Sequence, residues 1–185
     1  MKDPLRPAGA NLSELRHAVE SVLDELSWSP PCELGALLDQ ITRRRGKHIA
    51  LLPADLPRDG AGGLVIERAH DLVIVFDQSL PPLQQEHVIM HEAAHVLFGH
   101  RGTSVGDLTR DELDELDPDV VRGAQRFVRR DGYSAVEERV AEVAAALMWS
   151  RADRARRSVR PPFRSDTVAE ANERFAEALL ARRPR

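Results

Sequence analysis

The chain has 185 residues, of which 42% are hydrophobic and 30% charged, and its formal net charge is -4. That length suits one domain with a small appendage, and that balance excludes a disordered chain. The mild charge and an aromatic content of 4% argue against recognition of nucleic acid through a global field or base stacking.

The single cysteine, Cys32, forms no internal disulfide and suits a reducing compartment. It precedes a helix-like pattern, where a small packed side chain is the expected role. The N-terminal "MKDPLRPAGANLSELRHAVESV" carries charges and prolines where a signal peptide needs an apolar core. The longest uncharged apolar runs, "LVIVF" and "VAAALMW", fall far short of a membrane span. A cytoplasmic protein without a membrane partner is therefore expected.

After a loose lead-in over residues 1–10, Leu12, Leu15, Val19, Val22, Leu23 and Leu26 follow helical spacing, with Asn11 or Ser13 as cap. "SWSPP" stops that helix. A second is expected from Cys32 to Arg45, ended by cations and a glycine in "RRRGK". The period then shortens. "HIALLP", "GGLVIER" and "DLVIVFD" are rich in Val, Ile and Leu, and turn residues separate them. The last two predict an antiparallel hairpin within a small, mostly antiparallel sheet of about three strands.

A helix is expected from "SLPPLQQ" to about Phe98, stopped by Gly99. "RGTSVGDLTRDELDELDPD" is expected to be a surface loop with a short helical piece. "PDVVRGAQRFVRR" is helix-like, and Ala135 to Ser150 predicts a further helix. "RADRARRSVRPPFR" is expected to be a basic linker, and "SDTVAEANERFAEALLARR" a capped C-terminal helix. Helices, a small sheet and more helices make an α+β pattern. The expected organisation is an N-terminal helix over 1–29, a central domain over 30–150, and linker plus helix over 151–185.

The chemistry concentrates in "QQEHVIMHEAAHVLFGH", residues 84–100. His91, Glu92 and His95 form H-E-x-x-H. Histidines four apart on a helix project from one face and can meet one zinc ion at ~2.0–2.1 Å. Glu92 lies one residue on, placed to take a proton from water that such an ion activates. Histidine on an apolar helix face is often a plain core residue. Two imidazoles in an apolar run such as "VIMHEAAHVLF" are costly to bury unless they have partners.

A catalytic zinc site takes three protein ligands and keeps one position open. A third histidine six residues after His95 is ruled out, because that position is Arg101. His87, one turn before His91, is expected as a neighbour rather than a ligand. His100, just past the helix end, is expected to be solvated rather than to orient substrate. The alternative is a glutamate from "SAVEERVAEVAAALM". Glu138 is favoured, followed by Ala141, Ala144 and Ala145, which permit close helix packing; Glu142 and Glu137 remain open. Tyr133 and His100 are candidates to stabilise a developing oxyanion. The acidic "DELDELDPD" and the basic run are read chiefly as solvated faces.

With these residues in place, the chain resembles the ImmA/IrrE-type zinc metallopeptidases over roughly residues 30–150. The resemblance rests on "CELGALLDQI", "HIALLP", "DLVIVFDQSLP", "EHVIMHEAAHVLFGH" and "EERVAEVAAALM". That family typically shows H-E-x-G-H and, later, E-x-x-A before an alanine- and leucine-rich run. Here Ala94 replaces the glycine, and the later helix lacks the frequent phenylalanine and closing proline. The resemblance implies a zincin-like minimal metallopeptidase domain, with His91, His95 and Glu138 as Zn2+ ligands and Glu92 as base. It further implies cleavage of a protein substrate such as a helix-turn-helix regulator or an antitoxin. Relatives often add a DNA-binding domain, but residues 11–45 lack a clear recognition helix, so direct nucleic-acid binding is not expected. The competing expectation is a zinc-bearing regulatory or toxin/antitoxin-type partner that binds without cutting.

Overall fold

The computed structural model describes residues 11–56, 62–100, 103–104, 124–128 and 133–159. Two helices lead. α1 spans Leu12–Asp24 and α2 spans Leu34–Arg45. Asn11 caps α1 with its side chain on the Glu14 amide, and Glu14 answers on the Asn11 amide, a reciprocal pair that satisfies two otherwise orphaned donors. α2 ends at Gly46, whose φ of 72° is the left-handed conformation that glycine adopts without strain. Cys32 is buried in the core between the two helices, as a small packed residue.

The strands follow as β1 (His48–Ala54), β2 (Gly63–Arg68) and β3 (Asp71–Asp77). β2 and β3 form the expected antiparallel hairpin, pairing Gly63 with Phe76 and Glu67 with Leu72. β1 lies parallel to β3, from His48 opposite Asp71 to Ala54 opposite Asp77. Two further strands, β4 (Thr103–Ser104) and β5 (Ala124–Val128), extend the sheet to five in the order β1-β3-β2-β5-β4.

β5 corrects the helix expected over "PDVVRGAQRFVRR", and β4 corrects part of the loop expected before it. In "AQRFV" the spacing of Ala124, Phe127 and Val128 fits a helical period as well as a short strand. The unpaired edge of β2 decides between them. Its backbone donors and acceptors need a ladder partner, and β5 supplies one antiparallel, with an irregularity at Glu67/Arg68. The remainder of both segments lies outside the described residues.

α3 (Pro82–Phe98) opens with proline in its first turn and closes on Gly99 at φ 70°, as expected. α4 runs Ala135–Val159, longer than expected, so the first half of the presumed basic linker is helix. Arginine is a good helix former, Ala152 and Ala155 are buried, and Arg157 pairs with Asp153 one turn away. The expected C-terminal helix lies outside the described residues. No described helix is long and apolar enough to cross a membrane.

The core sits between one sheet face and the helices. Ile49, Val65, Leu72, Ile74 and Phe76 meet Ile89, Met90, Ala93, Ala94 and Leu97 of α3 and Val140, Ala141, Ala144, Ala145 and Met148 of α4. Alternate strand residues Leu64, Ile66, Val73 and Val75 form a second cluster on the other face. Arg151 of α4 reaches Asp24 of α1 at 2.6 Å, and Arg156 reaches Glu86 of α3 at 2.8 Å.

Gly63, the first residue of β2, lies directly under α3. A Cβ there would stand 2.5 Å from Val88 Cγ1, 3.1 Å from Glu92 Cγ and 3.1 Å from the Val75 carbonyl oxygen. The strand can approach the helix this closely only without a side chain. Gly63→Ala is expected to destabilise the chain by about 1–3 kcal/mol through overpacking. The check is a lower urea midpoint at unchanged m.

Candidate metal centre

α3 carries His91 and His95 on the face it turns toward α4. Ala141, Ala144 and Ala145 are fully buried on α4, so the two backbones come close and Glu138 projects between them. His91 Nε2 lies 3.1 Å from His95 Nε2. Glu138 Oε2 is 3.6 Å from His91 Nε2, and its Oε1 is 3.6 Å from His95 Nε2. One ligand atom from each of the three residues lies within 4.8 Å of the others, so the group is able to hold a metal ion. A tetrahedral ion with bonds of ~2.0–2.1 Å holds its ligands about 3.3 Å apart, which falls between these separations. The donor set is two imidazole nitrogens and one carboxylate. These are donor atoms that a divalent cation can draw to itself.

The three candidate glutamates differ in where their carboxylates lie. Glu137 turns back to the start of α4, where its carboxylate accepts from the Ser134 amide and hydroxyl at 2.9 Å. The Ser134 hydroxyl oxygen in turn accepts from the Glu137 amide. Glu137 thus belongs to a capping box. Glu142, one turn beyond Glu138, is exposed at the mouth of the same cleft and is not among the grouped ligand atoms.

His95 is 1% exposed. Burial, then the neighbouring His91 and His100, hold its pKa down to about 2, so its ring is neutral. Glu92 is 6% exposed and faces Gly63. Burial, with Glu138 adding, pushes its carboxyl up to about 8. Tyr133 precedes α4 and stacks on His95, ring centroids 3.5 Å apart. Its hydroxyl pKa is raised by burial and by Glu92, Glu138 and Glu137, so it stays protonated and remains a donor. His91, Glu92, Tyr133, Glu138 and Gly63 all line one cleft.

His87 is a neighbour, as expected. It also lines the cleft and meets Trp149 of α4 edge-on at 6.1 Å. His100 departs from expectation. Its ring does not simply face solvent but lies against His95, Nδ1 to Nδ1 at 3.0 Å. Gly63 falls in the strand pattern "GGLVIER", and nothing in that pattern signals its close approach to α3.

The chain matches no protein-family model, and comparisons with curated proteins and with solved structures give no match either.

Proposed function

We propose that the chain is a zinc-dependent endopeptidase acting on a regulatory protein such as a helix-turn-helix repressor or an antitoxin. The observation that carries the proposal is the convergence of His91, His95 and Glu138, with Glu92 beside them in one cleft. The ImmA/IrrE-type resemblance points to the same residues. Zn2+ suits this nitrogen and oxygen donor set, and when bound it supplies Lewis-acid polarisation of a carbonyl and activation of water.

The protein's own groups divide the rest of the work. His91, His95 and Glu138 would hold the ion. Glu92 takes the proton from the attacking water and passes it to the leaving amine. Glu92 lines the same cleft as the three ligands, which supports its role as the base. The Tyr133 hydroxyl, kept protonated, donates a hydrogen bond to the oxyanion of the tetrahedral intermediate. Gly63 and Val88 form part of the cleft wall where a peptide substrate would meet the site.

The test is to incubate zinc-replete protein with a candidate regulator and with a library of unstructured peptides, and to look for fragments by mass spectrometry. Discrete fragments that disappear with a chelator support the proposal. A stoichiometric complex without fragments sinks it in favour of a binding protein. Within the proposal, Tyr133→Phe is expected to lower kcat about 10²-fold, with metal content unchanged, as for loss of one oxyanion donor. An unchanged kcat removes Tyr133 from that role.

A further inference from the structure

Gly99 takes the left-handed conformation at the end of α3, and the His100 amide donates to the His95 carbonyl at 3.0 Å. The reversal swings the His100 ring back alongside His95, centroids 5.0 Å apart. His95 is therefore engaged at both nitrogens: Nε2 faces His91 and Glu138, and Nδ1 faces His100 Nδ1 at 3.0 Å. Tyr133 covers one face of the same ring.

We infer that His100 is a positioning residue for His95: its Nδ1 accepts the Nδ1 proton of His95 and holds the Nε2 lone pair toward the metal. The inference rests on reading His91, His95 and Glu138 as a metal centre. The reasoning is one of proton count. A neutral imidazole has one N–H and one lone pair. If Nε2 of His95 ligates, its proton sits on Nδ1. A hydrogen bond between two Nδ1 atoms needs one donor and one acceptor, so His100 presents its lone pair there and carries its own proton on Nε2. With His95 only 1% exposed, solvent is poorly placed to substitute as acceptor. Metal-bound histidines commonly fix their tautomer through such a partner, usually a carboxylate or carbonyl; here a second imidazole fills the place.

Two variants separate this role from packing. His100→Phe keeps an aromatic ring near Phe98 and Tyr133 but has no acceptor. His100→Asn loses the ring but keeps an acceptor oxygen where Nδ1 stood. Zn2+ affinity is measured by competition with a chromophoric chelator, and Co2+ absorption reports the ligand geometry. Circular dichroism confirms folding of each metal-free variant, and His100→Ala replaces His100→Phe if that one does not fold. The expected result is Zn2+ binding about 10- to 100-fold weaker in His100→Phe, with an altered Co2+ spectrum, and near-parental binding in His100→Asn. Parental affinity in His100→Phe overturns the inference, as does equal weakening in both variants. A parent chain that binds no Zn2+ overturns the metal centre itself, and that result is visible before any variant is made.

Discussion

Glu92→Gln is expected to lower peptide cleavage by about 10²- to 10⁴-fold while leaving the bound metal in place. The two effects separate because of where Glu92 sits. It shares the cleft with His91 and Glu138 but is not one of the three grouped ligands. Glutamine has nearly the same shape, so the tight fit of the side chain against Gly63 is kept. It cannot accept the proton of the attacking water, and that function is lost. The substitution also removes a buried carboxyl that Glu138 repels, so no loss of folding is expected to confuse the reading. The measurement pairs single-turnover cleavage with metal content per chain. Unchanged cleavage removes Glu92 as the base. Lost metal together with lost cleavage means that Glu92 is part of the ion's support instead.

Much of the fold was legible because local signals agreed with tertiary ones. α1 has a capping box, α2 and α3 have glycine stops, and α3 carries its histidines four apart. The β2–β3 hairpin could be read because only two residues separate two apolar runs. The parallel pairing of β1 could not be read, because strand direction depends on how the chain returns and not on side-chain pattern. β5 is not legible as a strand because five residues carry too little periodicity, and the edge of β2 outweighs it. The end of α4 is hard to read because a run of arginines resembles a linker, although its buried Ala152 and Ala155 continue the helix stripe.

The candidate site divides in the same manner. The spacing of His91 and His95 is a local property of one helix and was readable. Glu138 against Glu137 depends on the phase of a second helix, and that phase is set by the Ser134 cap. The partnership of His100 with His95 depends on the reversal at Gly99. A sequence shows the glycine but not where the next ring lands.

The phase of α4 also sets the second large effect. Glu138→Ala is expected to abolish tight metal binding, whereas Glu137→Ala is expected to keep it. The Glu138 carboxylate spans both histidines, 3.6 Å from each, and its side chain is only 16% exposed. Its removal leaves two imidazoles and no negative charge against a divalent cation. Glu137 serves the Ser134 cap, so its loss should cost about 1 kcal/mol of stability and no ligand. Thermal melts with and without Zn2+ read both outcomes. An ion that binds only the folded chain adds about 2.7 kcal/mol at a hundredfold excess over Kd. The parent and Glu137→Ala should show that increment, Glu137→Ala from a lower starting point. Glu138→Ala should show almost none at the same concentration. If the increment vanishes in Glu137→Ala and survives in Glu138→Ala, α4 sits one residue out of phase with this account. The carboxylate facing the histidines would then have been assigned to the wrong glutamate.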